Sequence, residues 1–166
     1  MDQAKVELIS VDEVDQALAE MVALFRVELR SFKGIVSKPN VDAGREEMEE
    51  DLAAGFPVFA AVVDGEYAGY MVCRIDSEVV WVESIFVKEE YRRHGVATAL
   101  HSKAEEIAAS YGDDTVYNYV HPNNHRMIEF LRKRGYTVLN LIEIRKPYKG
   151  EQFTQTISVG DHYFNY

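Results

Sequence analysis

The residues best suited to chemistry lie in one stretch, where Val82-Glu83-Ser84-Ile85-Phe86-Val87 leads through Lys88-Glu89-Glu90-Tyr91 into Arg92-Arg93-His94-Gly95-Val96-Ala97. An apolar strand, a tight basic loop and a helix amino terminus, in that order, make an anion site. The first turn of a helix carries unpaired N–H groups and a partial positive charge. Gly95 and Ala97 lack bulk that would block a diphosphate, and Arg92, Arg93 and His94 add positive charge. The same pattern, taken alone, also describes an ordinary strand-to-helix connection with a solvated turn. Glu83 interrupts an otherwise apolar strand, and a carboxylate there either has the raised pKa of a general base or is paired with an arginine. The strand by itself leaves the two even.

Other reactive side chains lead nowhere comparable. Cys73 is the lone cysteine and sits in the apolar run Tyr70-Met71-Val72-Cys73, which reads as a small buried hydrophobe, not a nucleophile. His121 and His125 have a metal-compatible spacing, but Pro122 separates them and no cysteine or carboxylate cluster completes a site, so no metal is expected. There is no Gly-x-Ser-x-Gly turn for a serine hydrolase. His101 reads as a surface residue of the helix after the basic loop.

The elements that must position this stretch follow from periodicity. Ser10-Val11-Asp12-Glu13 has the form of a capping box, and Val14, Leu18, Met21, Val22, Phe25 and Leu29 continue at helical spacing, so a long helix is expected from near Val11. After a Gly34, Pro39 and Gly44 interruption, a candidate flexible flap, the acidic stretch 45–54 reads as a short second helix whose charges form a solvated face, with a field that attracts cationic substrates as the lesser alternative. Phe59 to Val63 and Tyr67 to Ile75 flank Asp64-Gly65, a hairpin signal, and Val79 to Val87 gives a third strand. Val96 to Tyr111 is a helix ended by Gly112; Thr115 to Val120 and Thr137 to Ile144 are strands around a short helix, His125 to Arg134, closed by Gly135. The order implies an α/β fold with a mixed sheet covered on both faces. The tail, 146–166, mixes turn signals with the alternating run Phe153 to Val159 and is expected to form an extra strand or a dimer contact.

Length and charge bound the rest. With 166 residues and 47% hydrophobic content, one domain over 1–166 is the expectation. Eighteen basic against twenty-eight acidic residues give a net charge of −10, the wrong sign for a nucleic-acid partner. No apolar run approaches the ~20 residues of a membrane span and the amino terminus lacks a secretory layout, so a cytoplasmic protein is expected.

The loop residues Arg92, Gly95 and Ala97 resemble the cofactor loop of the GNAT superfamily of N-acetyltransferases, which reads Gln or Arg, two residues, Gly, one residue, then Gly or Ala. Asn124, Ile128, Phe130, Lys133, Gly135 and Tyr136 are similar to that family's second helix motif, and motif order agrees from about Phe56 to Glu143. The resemblance implies a mostly antiparallel sheet splayed between its fourth and fifth strands, with acetyl-coenzyme A in the cleft. The pyrophosphate would meet N–H groups from Arg93 through His94, Gly95, Val96 and Ala97 to Thr98, the pantetheine arm the backbone of Phe86 and Val87, and Asn124 would bond the arm or cap its helix. It implies Glu83 as base toward an amine substrate, since Val82 to Val87 looks like the corresponding strand of spermidine/spermine acetyltransferases, and Val87 N–H as an oxyanion donor. Leu131 departs from the pattern, standing where many members have a tyrosine acid. It favours a non-catalytic acyl-CoA-binding module as the rival to direct acetyl transfer in a ternary complex, and an enzyme using a longer acyl-CoA is a third reading open on the sequence. The acidic balance mildly favours a cationic amine, and a homodimer is expected from the family and the aromatic tail.

Overall fold

The computed structural model describes residues 5–166, which form two compact units, one ending at Phe130 and the other running Leu131–Tyr166. The first unit holds a five-stranded sheet in the order β1-β2-β3-β4-β5, made of β1 (Val6–Ser10), β2 (Val58–Val63), β3 (Glu66–Asp76), β4 (Val79–Val87) and β5 (Tyr117–Asn118). The first four strands are antiparallel, and β5 joins β4 in parallel. Helices α1 (Gln16–Ser31), α2 (Val41–Ala53) and α3 (Val96–Ser110) belong to this unit, and α4 (His125–Lys133) begins in it.

Local chemistry explains where the helices start. Ser10 is not a cap: it ends β1, opposite Phe59. The Asp15 carboxylate caps α1 instead, accepting the Leu18 N–H at 2.8 Å. Asn40 caps α2, accepting from Ala43 N–H at 3.1 Å, so that helix begins before the acidic stretch. The expected end of α3 at Gly112 holds, with that glycine in the left-handed region at φ 82°.

Successive residues of β3 face opposite sides of the sheet. Tyr70 and Val72 pack with Leu18, Met21 and Val22 of α1, Met48 of α2, and Phe86. Met71 and Cys73 are equally buried on the other side. There α3 buries Val96, Leu100, Ala104 and Ala108, and its Lys103 lies 5.7 Å from the Phe59 ring. Both faces are therefore covered, as the sequence pattern requires. His101 corrects the sequence reading: it is fully buried, its Nε2 lies 2.9 Å from Asn118 Oδ1, and it holds β5 to α3.

Two irregularities interrupt β4. The register steps from Val72↔Ser84 to Cys73↔Val82, so Glu83 is the extra residue of a β-bulge. Pairing of β4 with β5 covers only Trp81↔Tyr117 and Val82↔Asn118, although β4 runs on to Val87. The strand expected at Thr115 to Val120 is thus cut to two residues.

In the second unit the last turn of α4 closes with Arg134 and Tyr136 N–H groups on the Leu131 carbonyl, each at 3.0 Å, and Gly135 at φ 91°. The strand expected at Thr137 to Ile144 is absent, because alternation fixes which face a strand would bury but supplies no ladder partner. The tail does form strands, β6 (Thr156–Val159) and β7 (His162–Asn165), in an antiparallel pair across Gly160. Arg145 pairs with Glu151 at 2.6 Å and stacks on Tyr148 at 4.4 Å.

The approach of α1 to α2 is closest at Gly44, where no side chain fits. A Cβ on Gly44 would lie 2.6 Å from the Ala19 carbonyl oxygen and 2.9 Å from the Ala23 nitrogen, both backbone atoms that cannot swing aside. Helix propensity favours alanine over glycine by about 1 kcal/mol, whereas overpacking costs about 1–3 kcal/mol. Gly44→Ala is therefore expected to lower stability, read as a lower denaturation midpoint in urea, in spite of its better propensity.

Candidate functional site

The end of β4 exposes main-chain groups at an open edge. Lys88 N–H bonds the Ala68 carbonyl at 2.9 Å, which makes Lys88 and Ala68 a hydrogen-bonded pair and the next pair, Val87↔Gly69, a non-bonded one. By that alternation the N–H and C=O of Val87 and Ile85 point away from β3, toward the side where β5 has already stopped. Phe86, expected to share the backbone role with Val87, turns its main chain to Tyr70 of β3 instead. Its ring is buried against Phe25 and Tyr70, at 5.7 and 6.2 Å. Ile85, and not Phe86, presents its main chain with Val87 on the side away from β3.

Beyond Val87 a short 3-10 turn, Glu89–Tyr91, leads to the basic loop. Arg93 sits at φ 64° and Gly95 at φ 83°, two left-handed residues that swing the chain into α3. The first helical bond is Ala99 N–H to Gly95 C=O at 2.9 Å, and no side chain caps the helix. The N–H groups of Val96, Ala97 and Thr98 thus face out of the helix end, a cradle for an anion. Val96 contributes only its backbone, since its side chain is core, while Arg93, His94 and Thr98 are exposed. Arg92 has a different task. Its Nε donates to the Val87 carbonyl at 3.0 Å and its Nη2 reaches Glu28 of α1 at 3.2 Å, where Arg126 of α4 also pairs. Its guanidinium is thereby turned back to fasten the loop to β4 and α1, and only its neighbours face outward.

Asn124 caps α4, with Oδ1 accepting the Met127 N–H at 3.1 Å; its Nδ2 makes no hydrogen bond among the described residues and remains a donor. The preceding loop is tied to the end of α1 by Asn123 Nδ2 to Phe32 C=O at 2.9 Å and by Phe32 stacked on His121 at 5.5 Å. Burial, then the nearby Lys33, lowers the His121 pKa. Among the described residues no cluster of metal-ligating side chains occurs, and no helix is long and apolar enough to cross a membrane. Cys73 is buried, which pushes its thiol up to about 12.

Glu83, displaced by the bulge, is paired with Arg74 at 3.2 Å, and Arg74 lies 4.3 Å from the Trp81 ring and bonds the Tyr119 hydroxyl at 3.0 Å. The pair is partly open to solvent, so it orients the carboxylate more than it stabilises the fold. On its other side Glu83 lines a cavity of ≈ 340 Å³ together with Ser84, Arg26 of α1, and Glu47, Glu50 and Asp51 of α2. Burial first, then Glu47, Glu83 and Glu50, raise the Asp51 pKa to about 6, with Arg26 opposing. The sequence pattern, which favours a solvated face for the acidic stretch over a field for cationic substrates, does not single out Asp51. The usable signal was position: Glu47 and Asp51 are four apart, and so on one face of α2.

The sequence model of the Acetyltransferase (GNAT) family matches residues 21–136. An uncharacterised N-acetyltransferase of Methanocaldococcus jannaschii is 32% identical over 85 residues, which are 47% of this chain and 38% of that protein, so the match spans well under two thirds of the relative. Aminoglycoside N-acetyltransferase AAC(6')-Iy, solved with CoA, superposes with a TM-score of 0.62 at 21% identity, over 86% of this chain and 95% of its own. PH1933 from Pyrococcus horikoshii gives a TM-score of 0.65 at 18% identity, over 84% and 94%.

The Asp51 shift fixes the sign of a pH effect. A carboxyl whose pKa is raised on folding, here from 3.8 to about 6, favours the native state at low pH and loses that contribution as pH rises through the window between them. Asp51→Asn, which imitates the protonated form, is therefore expected to raise the melting temperature at pH 8, with the gain vanishing near pH 4; calorimetric melts of both proteins at the two pH values check this.

Proposed function

Because the chain belongs to the GNAT acetyltransferase family, we propose that it transfers an acetyl group from acetyl-coenzyme A to a primary amine by direct attack in a ternary complex. One observation carries the reading: β4 and β5 part beside an uncapped helix end, leaving the Val87 N–H and the first-turn N–H groups of α3 as donors, with Asn124 Nδ2 a further donor at the start of α4. These groups fit an extended, diphosphate-bearing cofactor. The α3 amides hold its pyrophosphate, and Val87, Ile85 and Asn124 hold its amide-bearing arm. Acetyl-coenzyme A, when bound, supplies an acyl carbon activated as a thioester.

The protein then has three tasks. An alkylamine with a pKa of about 10.4 is almost wholly protonated at neutral pH, so Glu83 takes its proton, directly or through water. Val87 N–H stabilises the oxyanion formed as the C–N bond is made. The C–S bond then breaks, and a thiol with a pKa near 8.5 leaves as a thiolate without a positioned acid, which is how Leu131 is accommodated in place of a tyrosine. The buried Cys73 supports direct attack over an acyl-enzyme, since a thiol with a pKa of about 12 is a poor nucleophile. Leu131 also favours the second reading, an acyl-CoA-binding module without turnover.

Acetyl-CoA is expected to raise the melting temperature saturably, as any ligand of the native state does. Glu83→Gln should bind it equally well but lose ~10²–10⁴-fold in kcat/KM at neutral pH, measured by thiol release, with the deficit narrowing as pH approaches the amine's own pKa. Binding without thiol release from any amine would favour the module, and no binding at millimolar acetyl-CoA would remove both readings.

A further inference from the structure

Beyond Val82↔Asn118 the sheet no longer joins β4 to β5, yet one stripe of α1 touches both sides of the gap. Phe25, Glu28 and Phe32 stand three and four residues apart and so share a helix face. Phe25 packs its ring on Phe86 of β4 at 5.7 Å. Phe32 serves the other side, where its carbonyl receives Asn123 Nδ2 at 2.9 Å and its ring stacks on His121. Glu28, between them, meets both sides at once. Its Oε1 accepts Arg92 Nη2 from the loop after β4, at 3.2 Å, and also Arg126 Nη2 from the first turn of α4.

The charges explain why this meeting holds. Two guanidiniums that share one oxygen repel each other, and the carboxylate between them is what makes their approach favourable. Glu28 and Arg92 are only 22% and 23% exposed, so their pair is screened less than an ordinary surface pair. Arg92 also donates Nε to the Val87 carbonyl at 3.0 Å. A guanidinium can hold a carbonyl and a carboxylate together in this way because its donors form a rigid fork; a lysine ammonium is a point charge on a flexible stem. Arg126 lies two residues past Asn124, whose side chain caps α4. A chain of contacts therefore runs from Val87 through Arg92, Glu28 and Arg126 to the turn that carries Asn124. Among the described residues, the first-turn amides of α3 take no part in it.

We infer that Glu28 is a positioning residue for the amide-bearing arm of acetyl-coenzyme A, setting the separation of Val87 and Asn124 where the sheet leaves a gap. The inference rests on the cofactor half of the proposed function and not on turnover. It divides the ligand in two: the arm depends on Glu28, and the diphosphate depends on α3.

That division is the test. Adenosine diphosphate carries a diphosphate without the arm, so calorimetry of the full chain with it and with acetyl-CoA, at matched ionic strength, reads the two ends separately. Glu28→Gln, which keeps the shape and removes the charge, is expected to weaken acetyl-CoA at least ~10-fold, about 1.4 kcal/mol. Adenosine diphosphate should bind that variant as tightly as the wild type or more so, because a negative charge near the anion cradle is gone. Adding Arg126→Gln to Glu28→Gln should cost acetyl-CoA nothing further, since both changes break one bridge. Glu28→Asp, which keeps the carboxylate, should recover part of the loss, and Arg92→Lys should behave like Glu28→Gln. A glutamate that merely stabilised the fold would weaken both ligands alike. Equal weakening of the two ligands, an unchanged acetyl-CoA affinity, additive losses in the double variant, or a wild type that binds acetyl-CoA but not adenosine diphosphate overturns the inference. Acetyl-CoA binding that is lost in Glu28→Gln, with no thiol release from any amine by the wild type, upholds the bridge and discards the acetyl transfer. A wild type that binds no acetyl-CoA removes both, so the two failures remain distinct.

Discussion

The parting of β4 from β5 is the constraint on which the site depends. A parallel pair that continued past Val82↔Asn118 would satisfy the Ile85 and Val87 amides with β5 and leave no edge for a ligand. Ending the ladder there has a cost, because main-chain groups inside a fold need partners. The protein limits the exposure locally: the Val87 carbonyl receives Arg92, whose guanidinium is in turn held by Glu28. The Val87 N–H is left facing the opening as a donor, which is what an oxyanion or an amide-bearing arm requires. His101, bonded to Asn118, keeps the short β5 where it ends.

The bulge at Glu83 solves a second problem. In an unbroken strand a residue points either into a helix-covered face or to the opposite one, and both faces of this sheet are packed. An extra residue releases one side chain from that alternation, so a carboxylate can leave a strand whose neighbours, Val82 and Phe86, stay in the core. Arg74, stacked on Trp81, then fixes where it goes. The close α1–α2 approach at Gly44 completes the arrangement by bringing the acidic face of α2 opposite the bulge.

The parts legible in the sequence are those in which chemistry is local. The strand, basic loop and helix end around Arg92 to Ala97 could be read because glycine, charge and periodicity each act within a few residues. The two-sided sheet was legible because α1 and α3 are periodic and β3 is apolar almost throughout. What could not be read depends on partners distant in the chain. The partner of Arg92 is Glu28, which makes it a fastener of the loop; the partner of His101 is Asn118, which buries it; and β1 exists because Val6 to Ser10 finds β2. Thr137 to Ile144 is the converse case, with strand-like alternation and no ladder. Glu83 lay between these classes, since its type, its place and an arginine partner as one of two readings were visible, but its release by a bulge, and which arginine it meets, were not.

The acidic stretch of α2 shows why composition underdetermined the site. Most of its charges are the solvated face that composition suggests. Two turns of helix, however, cannot place every residue outward, and the face shared by Glu47 and Asp51 meets Arg26, Ser84 and the Tyr70 hydroxyl. An ordinary structural solution would have been a second arginine, neutralising Asp51 as Arg26 neutralises Glu47. Its absence among the described residues leaves a partly buried carboxyl that gives up its proton reluctantly. A local violation of this kind opposes folding, and it sits beside the base candidate and not at a remote surface. That coincidence sets the reluctant Asp51 carboxyl in the same cavity as the group proposed as base.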